Sequence, residues 1–212
     1  MNVQRHSESM TIAPSKIVCV GRNYVEHARE LGNEIPERPL LFFKPPSAII
    51  RDGDTIILPG ESSQVEHEGE IAIVIGERAR RVPANRAMDH VVGYAPLNDV
   101  TARDLQKTDG QWTRAKGFDT FCPVGAIMPA TGVDYGALEV ICRVNGEVRQ
   151  HGNSAEMAFP IPVLIEYISS IMTLEPGDLI ATGTPAGVSR IHPGDVVEVE
   201  ILGLGVLKNP VE

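Results

Sequence analysis

Two carboxylates, Glu68 and Glu70, stand two apart at the head of Ile71-Ala72-Ile73-Val74-Ile75, a run that reads as a strand buried on both faces. Side chains two apart on a strand share a face, roughly 7 Å apart at the backbone. Ala72 and Val74 lie on that face, while Gly69, Ile71, Ile73 and Ile75 line the other. Like charges aimed together at the mouth of a buried strand repel and lose solvation, and a cation relieves both. An all-oxygen set suits Mg2+, Mn2+ or Ca2+ before zinc. The alternative is a solvated strand end with two ordinary glutamates. A third carboxylate, Asp99, ends the apolar stretch 91–98. Beside the first two it would complete a facial oxygen set with positions left for water or substrate. Spacing does not say whether the two strands are neighbours.

His27 and Glu30 lie three apart on an expected helix over 24–31, capped by Asn23 and stopped at Gly32-Asn33. A carboxylate beside an imidazole orients it and stabilises its charged form, which is equipment for activating water. The competing reading is an exposed polar face shared with Glu26 and Arg29. So short a helix between Gly21 and Gly32 is marginal by itself and is expected to close only over a ligand. Lys116 sits between Trp112 and Phe118, where a partly buried ammonium needs an anion; the alternative is a lysine lying over aromatic surface. Lys44, after Leu41-Phe42-Phe43, reads as a surface lysine ahead of the alternative that it faces the site. The loop Gly183-Thr184-Pro185-Ala186-Gly187 lets backbone amides approach a ligand, but it is too short for a nucleotide P-loop and lacks the lysine. His6, His67, His90, His151 and His192 occur singly and read as surface or supporting residues.

The elements that must position these groups are short and β-rich. Strands are expected over 16–20, 40–43, 91–98 and 178–182, and a short helix over 83–90. Asp52-Gly53 joins 48–51 to 55–58 as a hairpin, Asn145-Gly146 joins 140–144 to 147–150, and 196–202 closes on 206–207. A helical turn over 101–106 takes Thr101 or Asp99 as its cap. Helix 162–172 has Val163, Leu164, Tyr167, Ile168 and Ile171 on its apolar face. With 20 glycines and 16 prolines spread through 212 residues, the chain reads as an α+β, β-rich fold with few helices. One domain over 16–212 follows a polar extension, 1–15, that has no apolar signal-peptide core. A net charge of −9 argues against nucleic acid or an anionic membrane as partner, and no apolar run reaches spanning length. Cys19, Cys122 and Cys142 form neither a disulfide framework nor a zinc pattern, which places the protein in a reducing cytoplasm.

Taken together, Val20-Gly21-Arg22-Asn23-Tyr24 with His27 and Glu30, Leu41-Phe42-Phe43-Lys44-Pro45 and Glu68-Gly69-Glu70 resemble the fumarylacetoacetate hydrolase family. So do Asn98-Asp99-Val100-Thr101-Ala102-Arg103-Asp104-Leu105-Gln106, Lys116-Gly117-Phe118-Asp119 and Ala181-Thr182-Gly183-Thr184-Pro185, in collinear order over about 16–211. The resemblance is to the short single-domain branch of acylpyruvases, oxaloacetate decarboxylases and tautomerases, and isomerase–decarboxylases of aromatic degradation. It implies a mixed β-sandwich roll, a homodimer, and Mg2+ or Mn2+ held by Glu68, Glu70 and Asp99. It implies that Lys116 neutralises a substrate oxygen, that His27 and Glu30 activate water on a mobile lid, and that Arg103, Gln106 and Thr184 lie near a small 2-oxo acid. The reaction expected first is hydrolytic carbon–carbon cleavage of an acylpyruvate. Oxaloacetate decarboxylation or tautomerisation, or isomerisation of a 2-hydroxyhepta-2,4-diene-1,7-dioate type, are the alternatives. The segment between Gln106 and Trp112 is shorter than in animal acylpyruvases, and it borders the substrate pocket.

Overall fold

A computed structural model describes residues 13–30, 32 and 34–212. In chain order the first half contains β1 (Ile17–Gly21), α1 (Val25–Glu30), β2 (Leu40–Lys44), β3 (Ile49–Ile50), β4 (Val65–Glu66), β5 (Gly69–Ile75), β6 (Val91–Asn98), β7 (Thr101–Ala102) and α2 (Arg103–Thr108). There follow α3 (Thr113–Lys116), β8 (Cys122–Pro123), β9 (Met128–Pro129), β10 (Glu139–Val144), β11 (Glu147–Asn153), α4 (Ile161–Ile171), β12 (Leu179–Ala181), β13 (Val196–Ile201) and β14 (Gly205–Pro210). A mixed six-stranded sheet runs β2-β1-β12-β5-β6-β9, and a four-stranded sheet runs β11-β10-β13-β14. The architecture is α+β and strand-rich, as expected.

The alternation read in β5 matches its two packing environments. Ile71, Ile73 and Ile75 join Val140, Cys142, Val144, Val197, Val199 and Ile201 in the main core, which therefore lies between the two sheets. Ala72 and Val74 pack in a second cluster with Ile17, Cys19, Ala95, Leu97 and Leu179. At Gly69 the two sheets approach closely: a Cβ there would lie 2.8 Å from that of Cys142. The register pairs Gly69 with Asn98 and Glu70 with Leu97, and Asp99 N donates to Glu68 O at 2.8 Å. That ladder places Asp99 across from the two glutamates, which spacing alone left open.

Several expectations change. The Asp52-Gly53 turn forms no hairpin: β3 pairs in parallel with β8, while Ile56 bridges Val211 and Ile56 N donates to Pro210 O. The C-terminal strand offers this segment a partner that local turn chemistry cannot reveal. Asn145 and Gly146, both at positive φ (54° and 80°), do form the tight turn expected, between β10 and β11. Asn23 caps nothing, because its side chain donates to Phe159 O and Thr182 O and accepts from Phe159 N. Leu31 and Asn33, expected at the end of that helix, lie outside the described residues, as does His6. Helix α2 begins at Arg103 without a side-chain cap; Thr101 Oγ1 turns back to Asp99 O at 2.8 Å. The buried face of α4 is Ile161, Leu164, Ile165 and Ile168, so Val163 and Tyr167 are only half-buried and Ile171 is exposed.

Candidate active site

Glu68, Glu70 and Asp99 are all buried, and one oxygen from each lies within 4.8 Å of the others. Strand β5 supplies Glu70, its N-terminal approach supplies Glu68, and the end of β6 supplies Asp99. Three buried cations surround them. Lys116 Nζ donates to Glu68 Oε2 and Asp99 Oδ2, each at 2.7 Å. Lys44 Nζ donates to Asp99 Oδ1 at 2.6 Å and to Val100 O at 3.0 Å. Arg103 donates from Nε to Glu66 Oε2 at 2.7 Å and from Nη2 to Glu68 Oε1. Lys44 is therefore not the surface lysine its sequence context indicates.

Glu70 is the exception: among the described residues its donor is the Gly183 amide, at 2.8 Å to Oε2, and no cation pairs with it. Burial, followed by the nearby Asp99 and Glu68 charges, pushes its carboxyl well above the usual range. Burial works upward on Glu68 as well, but Lys116 and Arg103 outweigh it and hold that carboxyl low. Burial lowers the Lys116 ammonium, yet Asp99 and Glu68 outweigh it and keep the group charged. Four buried carboxyl groups (Glu66, Glu68, Glu70, Asp99) thus face three buried cations, and Glu70 is the one left without a cation. An oxygen-only donor set with uncompensated negative charge fits a hard divalent cation.

A cavity of about 330 Å³ opens onto this cluster and is lined by Glu68, Glu70, Asp99, Lys116, Arg103, Gln106, Thr184 and His27, among others. His27 is buried, with Nδ1 3.3 Å from Glu30 Oε2; Glu30 does not line the cavity. The Gly187 amide holds the Glu30 carboxylate at 3.1 Å from each oxygen, so α1 is seated against the 183–187 loop. The loop's amides thus hold protein carboxylates, at Gly183 and Gly187, where the sequence suggested a ligand.

Two of the three residues expected near the 2-oxo acid are largely committed to protein. Arg103 serves Glu66, Glu68 and Gln106. Thr184 Oγ1 donates to Gly69 O at 2.9 Å and accepts from Gln150 Nε2 at 2.7 Å. Gln106 accepts from Arg103 through Oε1, and its Nε2 has no protein partner among the described residues. Sequence reasoning missed the roles of Glu66, Asn98 and Gln150 and preferred a surface position for Lys44. Asn98 Oδ1 accepts from Glu68 N; Gln150 Oε1 accepts from Gly69 N and from His67, whose ring is also buried. Strands β2 and β11 are otherwise mostly half-buried or exposed, so no local pattern marked Lys44 or Gln150 as buried.

The fumarylacetoacetate (FAA) hydrolase C-terminal family model matches residues 16–212, and the chain belongs to that family. It is 49% identical over 195 residues to a mitochondrial oxaloacetate decarboxylase of Dictyostelium discoideum, covering 89% of each chain. It is 48% identical over 203 residues to a mitochondrial oxaloacetate tautomerase of Arabidopsis thaliana, covering 93% of this chain and 91% of the relative. Among solved structures, the fumarylpyruvate hydrolase of Pseudomonas aeruginosa in complex with Mn2+ and pyruvate superposes with a TM-score of 0.91 at 32% identity, covering 97% of this chain and 93% of that one.

Proposed function

We propose that residues 16–212 form one divalent-metal-dependent catalytic unit that interconverts the keto and enol forms of oxaloacetate, with decarboxylation as the alternative outcome at the same site. The observation that carries this reading is His27, buried in the wall of the cavity that the three carboxylates share, with Glu30 on its Nδ1 side. A buried imidazole backed by a carboxylate can take a proton from carbon and return it. Relatives named for oxaloacetate chemistry stand at 48–49% identity, against 32% for the fumarylpyruvate hydrolase, and this supports proton transfer over the hydrolysis expected first.

Glu68, Glu70 and Asp99 would hold Mg2+ or Mn2+, which supplies Lewis acidity favouring negative charge at the 2-oxo oxygen of the substrate. Lys116 uses two of its three donors on Glu68 and Asp99 and has the third for substrate oxygen. Gln106 Nε2 is a further free donor lining the cavity. His27 moves the C3 proton, and Glu30, held by the Gly187 amide, steadies the imidazolium charge. The reading includes a homodimer and a cytoplasmic home; three buried free thiols suit a reducing compartment.

The test mixes enol-oxaloacetate with the Mg2+-loaded protein, follows loss of enol absorbance, and measures pyruvate with a coupled reductase. Fast enol loss with little pyruvate is expected, and His27→Ala or Glu30→Ala should slow it by about 100- to 10,000-fold. Cleavage of acetylpyruvate or fumarylpyruvate with no acceleration of the enol–keto change would return the assignment to hydrolysis.

A further inference from the structure

The floor and the mouth of the cavity carry opposite charge balances. On the floor every cation is paired, and Glu70 is left over. Two more cations, half-buried Arg22 and exposed Lys107, line the same cavity, and neither side chain has an ion pair or hydrogen bond among the described residues. Their positions are fixed by structure. Arg22 has a φ of 57°, in the left-handed region that disfavours an L side chain. Just before it the backbone passes so close to Trp112 that a Cβ on Gly21 would lie 3.2 Å from the indole. Lys107 is four residues after Arg103 on α2, hence on the same helix face. Arg103 is neutralised by Glu66 and Glu68, so the charge of Lys107 is the one left for a ligand. Trp112, edge-on to Phe42 with ring centroids 5.2 Å apart, adds an apolar part to the cavity wall.

A ligand that matches this pattern is bifunctional. One end is the 2-oxo acid group that the proposed reaction directs to the carboxylate floor. The other is an anion for the two free cations. We propose that Arg22 and Lys107 form a subsite for the second carboxylate of a 2-oxo dicarboxylate, selecting dicarboxylic over monocarboxylic 2-oxo acids. This rests on the reading of the floor as the 2-oxo acid site. For oxaloacetate the subsite has a consequence for the reaction. Loss of the C4 carboxylate breaks the C3–C4 bond, leaves its electron pair on C3, and turns an anion into neutral carbon dioxide. Cations that hold that anion stabilise the ground state more than the transition state for its departure. Proton transfer at C3 leaves the carboxylate intact and escapes this penalty, so the subsite favours tautomerisation over decarboxylation.

Trp112 is the chain's one tryptophan and lines the cavity, so its fluorescence reports binding without turnover. Mg2+-loaded wild type, Arg22→Gln, Lys107→Gln and the double variant are titrated with malate and with lactate, which differ by the distal carboxylate. The wild type should bind malate about tenfold or more tightly than lactate, as a charge-assisted contact warrants, and the double variant should lose the preference. Arg22→Lys should restore part of it, which repair of a folding defect would not predict. With oxaloacetate, each single variant should raise KM more than it lowers kcat and should increase the fraction decarboxylated. Equal malate and lactate affinities in the wild type, or an undiminished preference in the double variant, overturn the subsite. If the preference for malate holds but oxaloacetate is not converted, the subsite stands and the proposed reaction falls.

Discussion

At the scale of single residues, the cluster is organised by which carboxylates have a cation and which does not. Asp99 is bound by Lys44 and Lys116, so Lys44→Met would leave a buried carboxylate oxygen without its donor. Removing one partner of a buried pair costs about 3–5 kcal/mol, and urea unfolding of the metal-free variant should show a loss of that order. A loss under about 1 kcal/mol would mean that water replaces the lysine and that the site is wetter than the burial of both groups indicates. Glu70→Gln should behave in the opposite way. It puts a neutral amide where burial, Asp99 and Glu68 already disfavour ionisation and no cation stands, so metal-free stability should hold or rise, while stabilisation by added Mg2+ disappears. Glu68 and Glu70 stood out in the sequence because like charges at the head of one buried strand need an explanation, whereas Asp99 joined them through the family resemblance, since spacing does not say that its strand is a neighbour. Lys44 did not stand out, because Leu41-Phe42-Phe43 ending in Lys44-Pro45-Pro46 looks like a strand running out to solvent. Its burial depends on the Asp99 loop, 55 residues away.

At the scale of elements, local patterns succeeded where the partner was local or the burial complete. The bounds of β6 and the alternation of β5 follow from their apolar runs, and the β10–β11 hairpin follows from Asn145-Gly146. The Asp52-Gly53 hairpin failed because its flanks pair with β8 and with the C-terminal strand, and the predicted face of α4 was rotated by its packing. The 183–187 loop was recognised as a place of close approach, but what approaches is protein. Gly187 has a φ of 102°, and a Cβ there would lie 2.0 Å from Arg149 O. Gly187→Ala should therefore cost about 1–3 kcal/mol in strain and also displace the amide that holds Glu30. Activity should fall further than unfolding free energy accounts for, which parallel kinetics and denaturation would reveal. At the start of β12, Asp178 accepts from the amides of Ser15, Lys16 and Glu175 and pairs with Lys16. Burial works to raise its carboxyl, but the Glu175 amide, Lys16 and Ser15 outweigh it and hold it below the usual range. Its contribution to stability is thus present above about pH 4 and is lost as pH falls through the lowered folded value. In Asp178→Asn that acid-side loss should shrink, as thermal unfolding between neutral and acid pH can measure.

At the scale of the whole molecule, two packed sheets carry a site with an anionic floor in a chain whose net charge is −9. No helix among the described residues is long and apolar enough to cross a membrane. On the proposed reading the buried carboxylates make the folded state a receptor for a divalent cation, and a ligand that binds only the folded state raises its stability. Mg2+ or Mn2+ at about 100 times its dissociation constant should add about 2.7 kcal/mol, visible as a rise in Tm that a chelator reverses. What composition and strand pattern made legible was the class of fold; what they could not give was the meeting of chain segments around residues 20–27, 42, 68–70, 99–116 and 184 at one cavity. The central claim is that this meeting moves a proton at carbon. The direct measurement is exchange of the C3 hydrogens of oxaloacetate in D2O, followed by proton NMR with Mg2+-loaded wild type, chelated wild type and His27→Ala. Rapid exchange in the first, with both controls near the uncatalysed rate, is the predicted result; exchange in His27→Ala as fast as in the wild type would contradict it.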